Sequence, residues 1–189
     1  MKHWAILGMI GVLFVLVPGS EAIEQTFPFP DRALVVQAVR DCAKKHGPLV
    51  VVTGEISATA DQGITLAGAD GQEKAYSCAA AAVFINGQLG LTAALRPIAP
   101  EFYFAARLYV DHQGVLRLVD GWYVGVEAEV LAIETDYSAL IVRPLDQGET
   151  SRLPFSPLFL PRSDPPLTPG EICFFLVDWE NNIRKVFRR

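Results

Sequence analysis

The chain has 189 residues, of which 51% are hydrophobic and 20% are charged, and its formal net charge is -5 at pH 7. An acidic protein lacks the basic surface that binding to DNA, RNA or anionic lipid requires. The composition therefore predicts no nucleic-acid partner.

The first residues have the pattern of a secretory signal peptide. Lys2 precedes an apolar run, residues 4–17, which as a helix would reach about 21 Å, short of the roughly 30 Å hydrocarbon core of a bilayer. Small residues follow at Ser20 and Ala22, where signal peptidase accepts them. We expect residues 1–22 to be removed after Ala22, giving a secreted or extracytoplasmic protein with no stable membrane span. The alternative is an uncleaved N-terminal anchor.

Residues 23–48 form an N-terminal segment that contains one short α-helix. Asp31 can cap this helix, and an apolar face recurs at Leu34 or Val35, Ala38, Val39 and Cys42. Gly47 and Pro48 end it. A helix with one such face either plugs the end of a β-barrel or docks on a partner, and the plug is the commoner use.

From residue 49 onward, short β-branched and aromatic runs alternate with turn residues. The spacing favours an antiparallel meander or small barrel and leaves no room for the crossover helices of a parallel sheet. The predicted strands of the first half are Val50 to Ala58, Ile64 to Ala67, Glu73 to Cys78, Ala82 to Ile85, Phe102 to Val110 and Val115 to Val119.

The second half repeats the order of elements found in the first. Two tandem units are therefore predicted, residues 49–123 and 124–189, and the fold class is mainly β, with two small antiparallel β-barrel-like units preceded by the helix. The corresponding segments are Glu55-Ile56 with Glu129-Val130, Ile64 to Leu66 with Leu140 to Val142, Leu95 to Pro97 with Leu167 to Pro169, and Asp111 with Asp178.

Four features carry a resemblance to a known class of protein: Gly54 to Ile56, a valine-rich strand before Asn86-Gly87, the Leu-x-Pro lead-in, and a final hairpin with aspartate in its turn. Over residues 50–187 the chain resembles the tandem OB-like or SH3-like β-barrel repeats of secreted bacterial proteins, many of which have no assigned activity. The resemblance implies a binding or structural module without naming its ligand.

Motifs for catalysis, phosphate binding or zinc binding are missing from the sequence, so it predicts no catalytic residues, no cofactor and no metal site. Asp111 and Asp178 would make an acid and base pair only if an interface brought them together, and holding turns is their usual role. Cys42, Cys78 and Cys173 have no paired spacing, which leaves open whether two of them form a disulfide.

Three aromatic residues are the candidate ligand-binding residues. Trp122 and Tyr123 lie at the junction between the units, and Trp179 lies at a hairpin turn. Exposed rings at these places would stack on an envelope polysaccharide or protein. The alternative is that they pack the two units against each other.

The sequence therefore supports three hypotheses for the function. The first is an exported, non-enzymatic module that binds a protein or polysaccharide of the bacterial envelope, and the second is a purely structural domain. The third is a secreted enzyme whose site is assembled in space and is not visible as a motif. A concave site with at least two convergent ionisable groups would favour the enzyme.

Overall fold

The structure is a computed structural model that describes residues 30–134, 138–146, 148–156 and 166–189. The predicted signal peptide, residues 1–22, lies outside the described residues, as does the middle of the proline-rich stretch between Leu153 and Pro169. The described chain is one α-helix followed by two β-sheets.

The helix α1 spans Ala33–His46 and precedes a first sheet of seven strands and a second of five. A single 3-10 turn, Thr92–Leu95, lies between β5 and β6. The strands of the first sheet are β1 Val50–Ala60, β2 Gly63–Ala67, β3 Glu73–Ser77, β4 Ala82–Ile85, β5 Gln88–Leu89, β6 Phe104–Val110 and β7 Leu116–Trp122, and those of the second are β8 Val124–Ile133, β9 Ala139–Pro144, β10 Ser151–Pro154, β11 Ile172–Val177 and β12 Ile183–Arg188.

The prediction of a mainly β protein with two β units and one helix is confirmed. Two details differ from the expectation. Neither sheet closes into a barrel: the first has the order β3-β2-β1-β6-β7-β4-β5 and the second β10-β9-β8-β11-β12. The pairing is also not wholly antiparallel, because β4 runs parallel to β7. This parallel pair has no crossover α-helix, because the chain passes from β4 to β7 through β5, the 3-10 turn and β6.

The two sheets share one pairing register. In the first sheet Glu55 lies opposite Ala105 on one side and Ala67 on the other. In the second, Glu129 lies opposite Ile172 and Arg143. A register shift follows the next residue in each case, between Ile56 and Ala58 and between Val130 and Ala132. Each unit thus bends its first strand at the same point of its ladder.

The aspartate turns also agree between the units. Asp111 Oδ1 accepts hydrogen bonds from the amides of Gln113 at 2.9 Å and Val115 at 3.0 Å. Asp178 Oδ1 accepts from the amides of Glu180 at 2.8 Å and Asn182 at 2.9 Å. Both aspartates are therefore used as turn residues, as their position predicts.

Each unit has its own apolar core. The first gathers Ile56, Leu66, Leu108 and Val119 with Leu95 from the 3-10 turn. The second gathers Val130, Val142, Phe175 and Ile183 with Leu167. Leu95 and Leu167, which the repeat aligns, thus enter equivalent cores.

The helix α1 covers the outer face of the first sheet instead of plugging a barrel end. Val35 packs on Phe84, Tyr109 and Leu118, whose neighbours along the strands point into the first core. Arg32 occupies the N-cap position, while the Asp31 carboxylate accepts a hydrogen bond from the amide of Ala33 at 2.9 Å. The predicted apolar face is used, because Ala38 and Val39 also join this cluster.

One residue, Tyr123, connects the two sheets. Asn86 holds it by two hydrogen bonds: its Nδ2 donates to the Tyr123 carbonyl at 2.9 Å and its Oδ1 accepts from the Tyr123 amide at 2.8 Å. Asn86 has φ +47, a left-handed conformation that asparagine tolerates better than most residues. The Asn86-Gly87 turn therefore fixes the chain where one unit becomes the next.

We predict that Asn86→Ala lowers the free energy of unfolding by about 1–3 kcal/mol more than Asn181→Ala does, because the first change leaves two backbone groups unpaired. Asn181 is a matched control, since its φ is +66 and its side chain makes no hydrogen bond to the described residues. Urea denaturation of both variants measures the difference. Equal losses would mean that only the backbone conformation matters.

Candidate functional site

The structure brings two of the three predicted site residues together. The rings of Trp122 and Trp179 lie with centroids 6.4 Å apart and planes tilted by 35°. Trp122 is 1% exposed and Trp179 is half-buried. These indoles fill the junction between the sheets, which is the packing role that the sequence left as the alternative.

Tyr123 packs in a different place from the pair of tryptophan rings. The centroid of its ring is 5.4 Å from that of Phe104, and the ring packs against the first core. Burial raises the pKa of the Tyr123 phenol, while Arg184 acts in the opposite direction. The three residues therefore do not form one aromatic surface.

Arg107 was not predicted from the sequence, yet it covers the outer side of Trp179. Its guanidinium lies 4.5 Å from the Trp179 ring centroid, and Nη2 lies 3.2 Å from Glu180 Oε1. An arginine over an indole is an attractive cation–π contact. It ties the β11–β12 turn to the face of the first sheet.

Asp120 is a fully buried carboxylate on the same face. It lies opposite Arg107 in the β6–β7 ladder and forms an ion pair with Arg32 at the start of α1. Burial raises the pKa of Asp120, and the nearby guanidinium groups of Arg32 and Arg107 limit that rise. This carboxylate thus links α1 to the junction.

We predict that Arg32→Met raises the pKa of Asp120 further, because the variant removes the opposing charge and leaves the burial. Arg40→Met, at an exposed position of α1, should leave it unchanged. Carbon-13 NMR of the carboxyl group during a pH titration measures both. A fall in the pKa in Arg32→Met would contradict this account.

The sign of the linked stability follows from the raised pKa. Because the folded protein holds the Asp120 proton more tightly than the unfolded chain, the contribution of this group to stability increases as pH falls from above its folded pKa towards the ordinary value of 3.8.

A second set of charges joins the two sheets directly. Arg184 Nη1 lies 2.6 Å from Glu55 Oε1, and its Nη2 donates to the Tyr103 carbonyl at 2.6 Å. Lys185 Nζ lies 3.2 Å from the other Glu55 oxygen and donates to the Glu101 carbonyl at 2.9 Å. Arg184 is only 8% exposed. Burial lowers the pKa of Arg184, and Glu55 opposes that shift.

Beside these charges lies a cavity of about 200 Å³, lined by Glu55, Asp178, Trp179 and Arg184 among others. It contains the convergent ionisable groups that would favour an enzyme. Both carboxylates are engaged, however: Glu55 by Arg184 and Lys185, and Asp178 by its own turn. Asp111 lines a different cavity and does not join them. The charges here hold the two units together.

We predict that Arg184→Ala lowers the free energy of unfolding by about 2–3 kcal/mol. The variant leaves Glu55, which is 29% exposed, with Lys185 alone, and it removes a charged donor from the Tyr103 carbonyl. Arg143→Ala is the matched control. Arg143 pairs with Glu129, which occupies the register position of Glu55 in the second sheet, but its side chain is 49% exposed. That change should cost no more than about 1 kcal/mol. Similar losses in thermal and urea denaturation would contradict the interface role.

A groove of about 530 Å³ lies on the first unit. One wall is β3 from Lys74 to Ser77, and the other is the end of β6 with the start of β7, from Val110 to Leu116. Val50 and Val52 of β1 lie between the walls, and Ala79 and Ala80 lie at the rim.

The groove exists because the third strand of the first unit is interrupted. Among the described strands β3 pairs only with β2. The chain then leaves the ladder at residues 78–81, and β4 pairs with β7. In the second unit Phe155 follows β10 directly and forms a parallel bridge to Ile183. The sequence carries a weak signal for this break, the run of small residues from Ser77 to Ala81, which shows no alternation of apolar and polar side chains.

The groove is apolar with one cation. The Lys74 ammonium lies 5.2 Å from the Tyr76 ring centroid, and no carboxylate of the described residues lies within ion-pair distance of it. Asp111 also borders the groove, where it binds Arg117 Nε at 2.7 Å. Burial alone would raise the pKa of Asp111, but the hydrogen bonds from the Val115 amide and Arg117 lower it overall.

The described residues contain no group of three or more histidine, cysteine, aspartate or glutamate side chains placed to hold a metal ion. Cys42, Cys78 and Cys173, all of which the structure describes, are free thiols. Burial raises the pKa of all three thiols.

Within the described ranges, no helix is both long enough and apolar enough to cross a membrane. No protein-family model matches the chain, and no curated protein matches it.

Proposed function

We propose that the chain is an exported, non-enzymatic binding module and that the groove of its first unit is the binding site. The observation that carries this proposal is the cavity of about 530 Å³ beside an interrupted strand. Ligand sites are commonly clefts of roughly 300–1,000 Å³ with apolar walls and a few polar groups. The groove has that size and composition.

The proposal of export rests on the N-terminal sequence. A charged start, a short apolar run and small residues before Ala22 are the pattern of a cleaved signal peptide. Its removal would leave a secreted or extracytoplasmic protein. The net charge of -5 further argues against a nucleic-acid partner.

We also propose that the two units are diverged copies of one OB-like unit. The shared register around Glu55 and Glu129, the matching bulges and the matching turns at Asp111 and Asp178 support this. In both units the third strand pairs with the second, and the chain that follows it lies parallel to the last strand. An OB-fold is a partly open five-stranded barrel. This likeness concerns the architecture alone and does not identify the ligand.

Of the two envelope partners considered, a protein and a polysaccharide, the groove favours the protein. Sugar recognition needs many hydrogen-bonding groups for the ring hydroxyls, whereas valine, alanine and leucine side chains dominate this lining. Trp122 and Trp179, which would have stacked on sugar rings, are committed to the junction.

A groove-filling variant tests the binding site. We predict that Ala80→Trp lowers recovery of the partner from the envelope fraction of the producing cell by about tenfold or more, since the indole occupies the rim of the groove. Ala94→Trp adds the same side chain at another exposed position, in the 3-10 turn, and should have no effect. Recovery is measured by quantitative mass spectrometry after affinity purification of the mature protein. Equal recovery by both variants would refute the groove as the site.

A further inference from the structure

The direction of the backbone groups along β3 follows from two hydrogen bonds at its ends. The amide of Gly68 donates to the Gln72 carbonyl at 2.9 Å, and the amide of Cys78 donates to the Gln62 carbonyl at 2.7 Å. In an antiparallel ladder, bonded and non-bonded pairs alternate. Lys74 and Tyr76 therefore direct their amides and carbonyls towards β2.

The other residues of β3 have the opposite orientation. The amides and carbonyls of Glu73, Ala75 and Ser77 point away from β2, and β3 pairs with no other strand in the part of the chain that the structure describes. Ala75 and Ser77 also line the groove. An unpaired row of donors and acceptors of this kind accepts a further strand.

The side chains next to this edge set the chemistry of the partner. Tyr76 packs against the first core, and the Lys74 ammonium lies over its ring. Val52, Val110 and Leu116 offer apolar contacts inside the groove. A strand added to this edge would direct every second side chain into the groove, so those side chains need to be apolar. The Lys74 ammonium lacks a carboxylate partner among the described residues, so it can pair with a carboxylate of the added strand.

On the basis of the proposed binding groove, we propose that its occupant is an extended polypeptide segment that adds as a strand to β3, pairing with the backbone of Ala75 and Ser77. Apolar side chains of this segment fill the groove, and a carboxylate, from an acidic side chain or a chain terminus, pairs with Lys74.

Proteins escape such pairing by covering or blunting the exposed edges of their sheets. In the second unit a parallel bridge between Phe155 and Ile183 links the chain just after β10 to the last strand. In the first unit residues 78–81 separate β3 from β4, and the groove of about 530 Å³ is lined by β3 and by the start of β7. The strand edge and the space beside it thus occur together in the first unit.

The test selects ligands from a random heptapeptide library with free carboxyl termini, using the mature protein as bait and Ala80→Trp as the counter-selection. An enriched peptide is then added to the nitrogen-15-labelled protein, and amide hydrogen exchange is followed by NMR. We expect exchange at Ala75 and Ser77 to slow by about tenfold or more, because their outward amides gain partners. Lys74 and Tyr76, whose amides are already bonded, should change little.

Three changes test the backbone hydrogen bonds to β3 and the charge contact with Lys74. Ala75→Pro removes one outward amide without removing a bond to β2 and should weaken peptide binding, since proline is tolerated on an edge strand. Lys74→Met should weaken it by about tenfold, whereas Lys45→Met, at an exposed position of α1, should not. N-methylation of alternate peptide residues should abolish binding of the enriched peptide.

The outcomes distinguish this inference from the proposed function. If no peptide is enriched over the Ala80→Trp counter-selection, or if a peptide perturbs Val52 and Leu116 without protecting Ala75 and Ser77, strand addition is wrong. The second result would still place a ligand in the groove and leave the proposed function standing. The amides of Ala75 and Ser77 could instead be protected from exchange without peptide, in a species with twice the monomer mass. That result would show that a second copy of the chain covers the edge, and it would also overturn the inference.

Discussion

The connection between the two sheets is a single residue, and most of the junction depends on that constraint. With only Tyr123 between β7 and β8, the second sheet begins beside the first and cannot move far from it. The surfaces that face each other must then be compatible. Asn86 holds the connecting residue from the first unit, so the direction of the chain is fixed before the second unit starts.

The facing surfaces combine aromatic packing with buried charge. Phe102 of the first unit stacks on Phe187 of β12 with ring centroids 3.9 Å apart, and Trp122 meets Trp179. Arg184 enters this apolar setting, where an unpaired cation would be costly, and Glu55 with the Tyr103 carbonyl compensates it. Removing one partner of such a pair costs more than replacing both by apolar groups. The pair therefore disfavours any arrangement of the two units that separates Arg184 from Glu55.

Much of the fold could be predicted because its signals are local. The apolar face of α1 and the β-branched and aromatic runs of β1, β2 and β4 predict element positions that agree with the structure. The predicted end of β7, Val119, comes three residues before the observed end, Trp122. The reason is that Asp120 and Gly121 are residue types typical of turns. In the structure Arg32 pairs with Asp120, and Gly121 is required because a Cβ there would lie 2.4 Å from Leu95 Cδ2. Both reasons depend on residues far away in the chain.

Less of the candidate site than of the fold could be predicted from the sequence, again because the deciding contacts join residues far apart in the chain. The sequence marks Trp122 and Trp179 as large aromatic residues at a junction and a turn. Their contact depends on how the second sheet packs against the first, which the sequence does not show. The groove exists because the chain leaves β3 and pairs, as β4, with β7. The residues of β7 that pair with β4 lie over 30 positions later in the sequence. No local pattern specifies such a partner.

The contacts of Trp122 with Trp179 and of Arg184 with Glu55 predict that the two units tumble as one rigid body. Nitrogen-15 relaxation of the mature protein measures this, because amides in residues 50–122 and 124–188 report the tumbling of each unit. We predict that one rotational diffusion tensor fits both sets. Two distinct tensors would show that the units move independently and would contradict the account.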